Sequence, residues 1–365
     1  MRNMLFFLCL LCAATSWAEN DWEVMNPETP PDPRFGHAMA RCDAQMLLMY
    51  AGKKADAFLA QDPIFVNNEW ILRNPSGNVP PSRYDHVAWT IDGKMYVFGG
   101  NGPLRPYHDL WRYDLSTDTW EELPAGVIRP SPRYGHAVAV ADDGRVFISG
   151  GTDMEGNKLN DLWVMNPDFS FNQLQSNIYH ASNHKIHICG DKLLLFGRPG
   201  VVSTYSISED KWTQEQVGPP LKGFFVTAEK KIDDLSSQNR QLVESTAEKV
   251  TDTRIFYFFG GIAADEKQSD AVYELHYPSL TLIKRPEPMP FPLFHAAGAV
   301  LKDDGDEFKV LIFGGISNGE VMQETLIFSA DGDMADNTDD GNTQNQGDSG
   351  HNNSGGSCFI GSALR

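Results

Sequence analysis

Short apolar runs that end in a pair of glycines recur along the chain and predict buried β-strands. The run Met95–Phe98 precedes Gly99-Gly100, and the run Val146–Ser149 precedes Gly150-Gly151. The same pattern ends at Gly260-Gly261 and Gly314-Gly315. The repeat interval is about fifty residues, which fits one four-stranded unit. Glycine suits these positions because a side chain would collide with neighbouring backbone, or because the backbone needs a left-handed φ.

Other residue types keep the same register. Three repeats open with an arginine, and two carry Asp-Leu-Trp after the glycines, at Asp109–Trp111 and Asp161–Trp163. Five histidines are assigned to one position near the start of their repeats: His37, His86, His136, His184 and His295. One four-stranded sheet cannot bury both of its faces alone. We therefore expect six sheets closed into a ring, which removes their exposed edges.

The two ends of the repeat region predict how the ring closes. The sixth repeat supplies strands near 296–301, 310–313 and 324–329, but no fourth strand follows them. The segment Asp21–Met25 instead resembles the outermost strand Thr119–Leu123 of the second repeat. We expect it to complete the sixth sheet, so that the start of the chain closes its end.

Together, the glycine pairs, the Asp-Leu-Trp phrases and the later tryptophans resemble the kelch repeat. The resemblance implies an all-β, six-bladed kelch-type β-propeller spanning residues 19–330. It also implies framework roles, in which the arginines hydrogen-bond carbonyls between blades and the aromatic residues wedge between sheets. For the arginines, an alternative is a ring of cations at one mouth of the channel. The framework residues are Arg34, Arg83, Arg133, Trp111, Trp163 and the eight glycines of the four pairs above.

The first eighteen residues have the features of a signal peptide. Arg2 precedes the apolar run Met4–Ala14, which is too short to span a bilayer, and Ser16-Trp17-Ala18 offers small residues at a cleavage site. We therefore expect an exported protein, located in a periplasm, on an outer surface or in the medium.

Residues 331–365 change to a low-complexity acidic composition that cannot fold by burial. Its aspartates give calcium binding as an alternative to a disordered linker, although the spacing of an EF-hand is missing. The terminal Gly-Ser-Cys358-Phe359-Ile360 resembles a C-terminal box of some exported bacterial proteins. The thiol of Cys358 on this tether would suit lipidation, envelope attachment or an intermolecular disulfide.

An insertion interrupts the fifth repeat at about Ala228–Asp252, where four apolar residues fall on loosely helical spacing. It is either a solvated loop or an element that docks a partner.

Charge and motifs narrow the function classes. Thirty basic and 49 acidic residues give a net charge of −19, which disfavours nucleic acid and anionic lipid as partners. We find no phosphate-binding glycine loop, nucleophile elbow or zinc motif, and we predict no cofactor or metal. The histidines at 180, 184 and 187 are too loosely arranged for a metal site, because His184 and His187 would point to opposite faces of a strand.

These observations favour a binding module over an enzyme. Loops after the glycine pairs and loops between blades should emerge on one face, which would recognise a protein or glycan ligand. Tyrosine and arginine dominate binding hot spots, so the predicted contact residues are Arg105, Tyr107, His108 and Arg198. The alternative is a carbohydrate isomerase similar to the exported sialic acid mutarotases, with acid–base groups in the central pore. Copper-radical oxidases of the galactose oxidase type are disfavoured, because their ligand set and Tyr–Cys crosslink have no counterpart.

Overall fold

The computed structural model describes residues 21–331 except 44, 45, 61, 125, 127, 178, 233–252, 305 and 306. All regular elements in this part of the chain are β-strands. No helix among these residues is long and apolar enough to cross a membrane. The predicted leader at 1–18, most of the insertion, the tail after Asp331 and Cys358 lie outside the described residues and stay predictions.

Six antiparallel four-stranded sheets form the blades of a propeller, as predicted. In each blade the first strand named is the innermost, beside the channel, and the last is the outermost. Blade one has Ala38–Asp43, Met46–Tyr50, Asp62–Val66 and Glu69–Arg73; blade two has Val87–Ile91, Lys94–Phe98, Leu110–Asp114 and Thr119–Leu123. Blade three has Ala137–Val140, Val146–Thr152, Lys158–Met165 and Phe171–Leu174; blade four has Lys185–Cys189, Lys192–Arg198, Val201–Ser206 and Lys211–Glu215. Blade five has Val226–Ile232, Thr253–Phe259, Val272–Tyr277 and Thr281–Lys284; blade six has Ala297–Asp303, Glu307–Phe313, Thr325–Asp331 and Trp22–Met25.

The N-terminal strand closes blade six, which confirms the prediction from the chain ends. Trp22 lies opposite Phe328 in an antiparallel register. Its indole is buried and packs edge-on against Phe259 of blade five, with ring centroids 5.7 Å apart. Just before the strand, the Asp21 carboxylate pairs with the Arg285 guanidinium of blade five at 2.7 Å. This segment therefore joins blade six to blade five by both apolar and ionic contacts.

Aromatic side chains fill the spaces between neighbouring blades. Trp111 packs in a cluster with Tyr50 of blade one, and Trp163 packs with Phe98 of blade two. Each indole Nε1–H donates to the aspartate two residues earlier, Asp109 at 2.8 Å and Asp161 at 2.7 Å. The indoles therefore bury their apolar rings while their single donors stay satisfied.

The paired glycines let adjacent strands approach closely. Gly99 and Gly100 have φ values of +64° and +94°. A Cβ on Gly99 would lie 2.8 Å from the His136 ring of the next blade, and a Cβ on Gly100 would lie 2.6 Å from Cβ of His86 in its own blade. The first glycine thus admits the neighbouring blade, and the second admits the innermost strand of the same blade.

The three arginines are fully buried, which excludes the alternative of a cation ring at the channel mouth. Their guanidinium groups bond carbonyls of their own blade: Arg34 bonds Ala51 O at 2.9 Å, Arg83 bonds Gly99 O at 2.8 Å and Arg133 bonds Gly150 O at 2.9 Å. The predicted hydrogen bonds between blades come instead from the main chain, as where Gly100 N–H donates to Arg133 O at 2.8 Å.

Two of these arginines also form buried ion pairs. Arg83 pairs with Asp109 and Arg133 with Asp161, each through two guanidinium nitrogens at 2.6 to 2.8 Å. Burial alone would raise the pKa of the Asp109 carboxyl, but the bonds and charge of Arg83 outweigh it and lower that pKa. These pairs fix the start of the third strand to the start of the first.

The insertion in blade five begins later than predicted. Residues 228–232 belong to the innermost strand Val226–Ile232, which pairs with Thr253–Phe259 in continuous register. The burial of Ala228, against Val226 in one apolar cluster, shows why the strand extends past the predicted boundary.

Candidate functional site at the ring face

Six residues with left-handed backbone encircle the channel, one from each blade, each two positions before the first residue of the innermost strand. The residues are Gly36, Asp85, Gly135, Asn183, Phe224 and His295. Each N–H donates to the carbonyl oxygen of the corresponding residue in the preceding blade, at distances from 2.6 to 3.1 Å. Gly36 N–H donates to His295 O at 3.0 Å, which completes the circle. We call the side of the propeller that carries this circle the ring face.

The loops predicted to share one face do emerge at the ring face. In four of the blades, a short β-bridge joins the start of the repeat to the loop after the glycine-pair position, such as Phe35 with Lys53 and Tyr134 with Thr152. Blades two and six contain the corresponding bridges of Tyr84 with Asn101 and Phe294 with Ile316.

The structure corrects the repeat position of His295. A Cβ on Gly315 of blade six would lie 2.9 Å from Cβ of Ala296, just as one on Gly100 would meet His86. Ala296 is therefore the equivalent of the buried histidines, and His295 is the equivalent of Asp85 in the ring. The two positions are adjacent, so aligning the repeats on the histidine alone shifted blade six by one residue.

The four true framework histidines wedge between blades. His136, for example, packs edge-on against Phe98 of blade two with centroids 5.5 Å apart. Burial, reinforced by the nearby arginine charges, lowers the pKa of His37, His86 and His136 well below 6.5. Burial and the charge of Lys185 lower the pKa of His184 to about 3. All four are therefore neutral packing groups at physiological pH.

The channel under the ring contains a cavity of about 210 Å³. The innermost strands begin with alanine or valine in five blades, whereas blade four begins with Lys185. Burial lowers the pKa of the Lys185 amine, although the nearby Asp85 carboxylate opposes this shift.

The side chains of Asp85, from blade two, and His295, from blade six, lie close together over blade one, which stands between these two blades. His295 Nε2 lies 2.9 Å from Asp85 Oδ1, close enough for an ion pair when the imidazole is protonated, although its orientation does not make a hydrogen bond. Gly36 makes this contact possible, because a Cβ there would lie 2.7 Å from Asp85 Oδ1. Both side chains are poorly accessible, at 7% exposure for Asp85 and 16% for His295.

Half-buried aromatic residues surround the channel mouth on the ring face. Phe35 stacks on His295 with centroids 5.4 Å apart, and Phe224 contacts the same imidazole edge-on at 4.2 Å. The aromatic residues at this mouth are Phe35, Tyr84, Tyr134, Phe224 and Phe294. The ring face therefore presents apolar rings around a polar centre.

Two of the predicted contact residues lie in the blade-two loop of the ring face. Arg105 is exposed, and its carbonyl accepts a hydrogen bond from Gly102 N–H at 3.0 Å. Tyr107 is half-buried, because its ring lies under Gly102 and the Arg83 guanidinium stacks on it at 4.5 Å. Tyr107 therefore supports this loop from below, while Arg105 reaches solvent.

The other two predicted contacts are paired with neighbours. His108 Nε2 lies 3.0 Å from Arg129 Nη2, and burial together with the Arg129 charge lowers the pKa of His108. Arg198, in blade four, is exposed and lies over the Tyr179 ring at 5.8 Å. The four predicted residues thus fall in two places, three in blade two and one in blade four.

The sequence analysis missed the exposed apolar side chains of the ring face. Leu104 and Ile128 are the most exposed large hydrophobic side chains of the described residues, at 98% and 64%. Met154, in the equivalent blade-three loop, is 56% exposed. The only available signal was an isolated leucine among prolines and glycine at 102–106, which does not by itself reveal exposure.

The three histidines considered for metal binding have separate surroundings. His184 is buried between blades and its Nε2 lies 3.2 Å from Ser149 Oγ, whereas His187 Nδ1 lies 3.2 Å from Glu229 Oε2. His180 is exposed and contacts Lys158 O at 2.7 Å. Within the described residues, no three metal-binding side chains are grouped as a site would require.

Comparison with known proteins agrees with this architecture. A family model described as the KLHDC2/KLHL20/DRC7 Kelch-repeats domain matches residues 7–198. Kelch domain-containing protein 10 of Xenopus tropicalis is 30% identical over 164 residues, which cover 40% of this chain and 39% of that protein. Leucine-zipper-like transcriptional regulator 1 homolog of Drosophila melanogaster is 27% identical over 280 residues, covering 70% of this chain and 27% of that protein.

A third relative is Tip elongation aberrant protein 1 of Schizosaccharomyces pombe, 31% identical over 176 residues that cover 42% of this chain and 15% of that protein. The matched regions thus span well under two thirds of the length of these relatives. The family model covers more than half of this chain, from residue 7 to the end of the second strand of blade four. The chain therefore belongs to the KLHDC2/KLHL20/DRC7 kelch-repeat family.

Proposed function

We propose that this kelch propeller is a protein-interaction module that works outside the cytoplasm and binds its partner with the ring face. The observation that carries the proposal is the half-buried aromatic rim of the channel mouth, next to exposed apolar loop residues. Aromatic residues and arginine are enriched at protein interfaces, and apolar patches rimmed by polar groups mark binding sites. This arrangement matches a binding surface.

Three strand ends that border segments outside the described residues lie opposite the ring face. The innermost strand of blade five ends at Ile232 and the third strand of blade six ends at Asp331, both on the face opposite the ring. The N-terminal strand begins on that opposite face as well, since Trp22 lies beside Phe328. These three strand ends therefore do not cover the ring face.

The chemistry of the channel does not favour the isomerase alternative. Asp85, Lys185 and His295 supply ionisable groups there, but the His295 imidazole is packed against Phe35 and Phe224, and the Asp85 carboxylate side chain is only 7% exposed. A substrate in the channel would therefore reach little of either side chain. A protein ligand could bind by contacting only the exposed edges of Phe35 and Phe224, so we propose a protein rather than a small sugar as the ligand.

Footprinting of a captured complex tests which face binds. The full chain would be used to capture a partner from its native source, and the complex would be oxidised with hydroxyl radicals. We expect Phe35, Tyr84 and Phe224 to be protected, while Ile71 and Leu72 on the outer edge of blade one keep their reactivity. Protection of the outer edge alone would reject the ring face as the binding surface.

Sequencing of the mature N-terminus tests the location. We expect cleavage after Ala18, which leaves the strand Trp22–Met25 intact and releases the protein across a membrane. An uncleaved chain retained in the cytoplasm would reject the proposed location and leave the binding surface untouched.

A further inference from the structure

The strongest exposed feature of the ring face lies in blade two. Leu104 is at the tip of the loop after the glycine pair, and Ile128 is in the segment that leads to blade three. The two segments are tied together, because Arg133 N–H donates to Tyr107 O at 3.0 Å and Arg129 bonds His108. Two large apolar side chains are therefore held in solvent by segments that are fixed to each other.

The loop that carries Leu104 is held by backbone hydrogen bonds and by a packed tyrosine ring. Gly102 N–H donates to Arg105 O at 3.0 Å and closes the tip of the loop. Tyr107 N–H donates to Gly100 O at 2.8 Å and closes its base. The Tyr107 ring fills the space under Gly102, where even a Cβ would approach the ring to 2.5 Å. A loop that is already ordered loses little conformational entropy on binding, so its contacts are available for affinity.

Two arginines beside these apolar residues have no carboxylate partner in the described part of the chain. Arg105 forms no ion pair there, and Arg129 is held by the ring and carbonyl oxygen of His108 at 3.0 and 3.4 Å. A guanidinium can only donate, so His108 Nε2 accepts and the imidazole is neutral. Several other cations of this acidic chain are paired with carboxylates, for example Lys94 with Asp114 and Arg145 with Asp143.

We propose that Leu104, Arg105, Ile128 and Arg129, which we call the blade-two sector, bind a segment of a partner protein in which carboxylates flank apolar side chains. The inference rests on the proposed function and names the partner chemistry for that face. Carboxylates pair with guanidinium groups through two parallel hydrogen bonds, and the apolar side chains cover Leu104 and Ile128. Charge complementarity favours this partner, because the sector offers two cations that pair with no carboxylate of the described residues, on a chain of net charge −19.

Peptide selection against the full chain tests the chemistry. A display library of random dodecapeptides would be enriched on the immobilised protein, and the consensus peptide would be synthesised and titrated. We expect consensus peptides with Asp or Glu next to Leu, Ile, Phe or Met. Enriched peptides without acidic residues would overturn the inference.

Three substitutions locate the bound peptide. Leu104→Ser and Arg105→Glu should each raise the dissociation constant of the peptide by at least about tenfold. Arg198→Glu makes the same charge change on the exposed blade-four loop of the same face and should change the constant less than about twofold. All three side chains are exposed, so thermal melts should show equal stability for the variants.

The outcomes separate this inference from the proposed function. Binding that is lost in Arg198→Glu and kept in Arg105→Glu would overturn the blade-two sector while keeping the ring face. Peptides that bind all three variants and protect only the outer blade edges would overturn both. A synthetic peptide of residues 332–365 serves as a competitor. If it displaces the consensus peptide at equal concentration, the occupant is the acidic tail of this chain and the partner-protein inference fails.

Discussion

Single residues with left-handed backbone set how closely neighbouring segments of the chain approach. Gly100→Ala would place a Cβ 2.6 Å from Cβ of His86 at a φ of +94°. We expect it to lower the free energy of unfolding by about 2–4 kcal/mol, from backbone strain and overpacking together. Denaturant titration would measure the loss.

Gly156→Ala is the matched control for that substitution. Gly156 has a φ of +84°, but no atom lies within 4 Å of a Cβ built there. Only the backbone strain remains, so the loss should stay near about 1–2 kcal/mol. Equal losses in the two variants would show that the close approach to His86 contributes nothing.

The buried histidines predict that acid destabilises the protein. His37, His86, His136 and His184 have a lower pKa when folded than the value of about 6.5 in the unfolded chain. The unfolded state therefore binds more protons below that value, and stability falls as the pH drops from about 6.5. Each histidine adds a slope of up to about 1.4 kcal/mol per pH unit.

Denaturant titrations between pH 7.5 and 5 would measure this slope. His136→Gln should be less stable at pH 7.5 but show a shallower loss toward pH 5. His180→Gln, which changes an exposed histidine, should keep the slope of the parent protein. A stability that does not change between pH 7.5 and 5 would contradict neutral buried histidines.

At the scale of elements, the N-terminal strand decides whether the ring stays closed. Trp22→Ala would remove a buried indole from between blades five and six and should cost about 3–5 kcal/mol of stability. Val24→Ala lies on the same strand with a side chain that is 45% exposed, so its cost should be below about 1 kcal/mol. Urea unfolding compares the two, and similar costs would mean that the strand does not seal the blade.

The positions of individual β-strands were also what the sequence predicted best. The recurring apolar runs and glycine pairs located the strands of blades two and three, because each run is a buried strand with its own local signal. The boundary of the blade-five insertion was wrong by five residues. Its first residues, 228–232, continue a strand whose length is set by pairing with Thr253–Phe259. Pairing with a distant segment leaves little trace in the local pattern.

At the scale of the whole molecule, net charge controls how an acidic partner approaches. The chain carries a net charge of −19, whereas the blade-two sector carries two guanidinium groups that pair with no carboxylate of the described residues. The long-range interaction with an acidic peptide is therefore repulsive. The Debye length shrinks from about 30 Å at 0.01 M salt to about 10 Å at 0.1 M. We expect the association rate constant of such a peptide to rise over this range, measured by stopped-flow fluorescence.

A peptide with its carboxylates replaced by amides is the control for that measurement. Its association rate should change little with salt, because it carries no charge for the protein to repel. An association rate of the acidic peptide that falls with salt would show that the local arginines outweigh the charge of the whole chain.

The sequence by itself determined the repeat, the number of blades and the closing strand, because each depends on residue types that recur at fixed spacing. Only the tertiary structure decided which of two adjacent residues enters the ring in blade six, and that the arginines are buried rather than lining the mouth. It also decided that the side chains of Leu104 and Arg105 are exposed to solvent. Burial and pairing join residues that are far apart in the chain, so they exist only after the blades have closed.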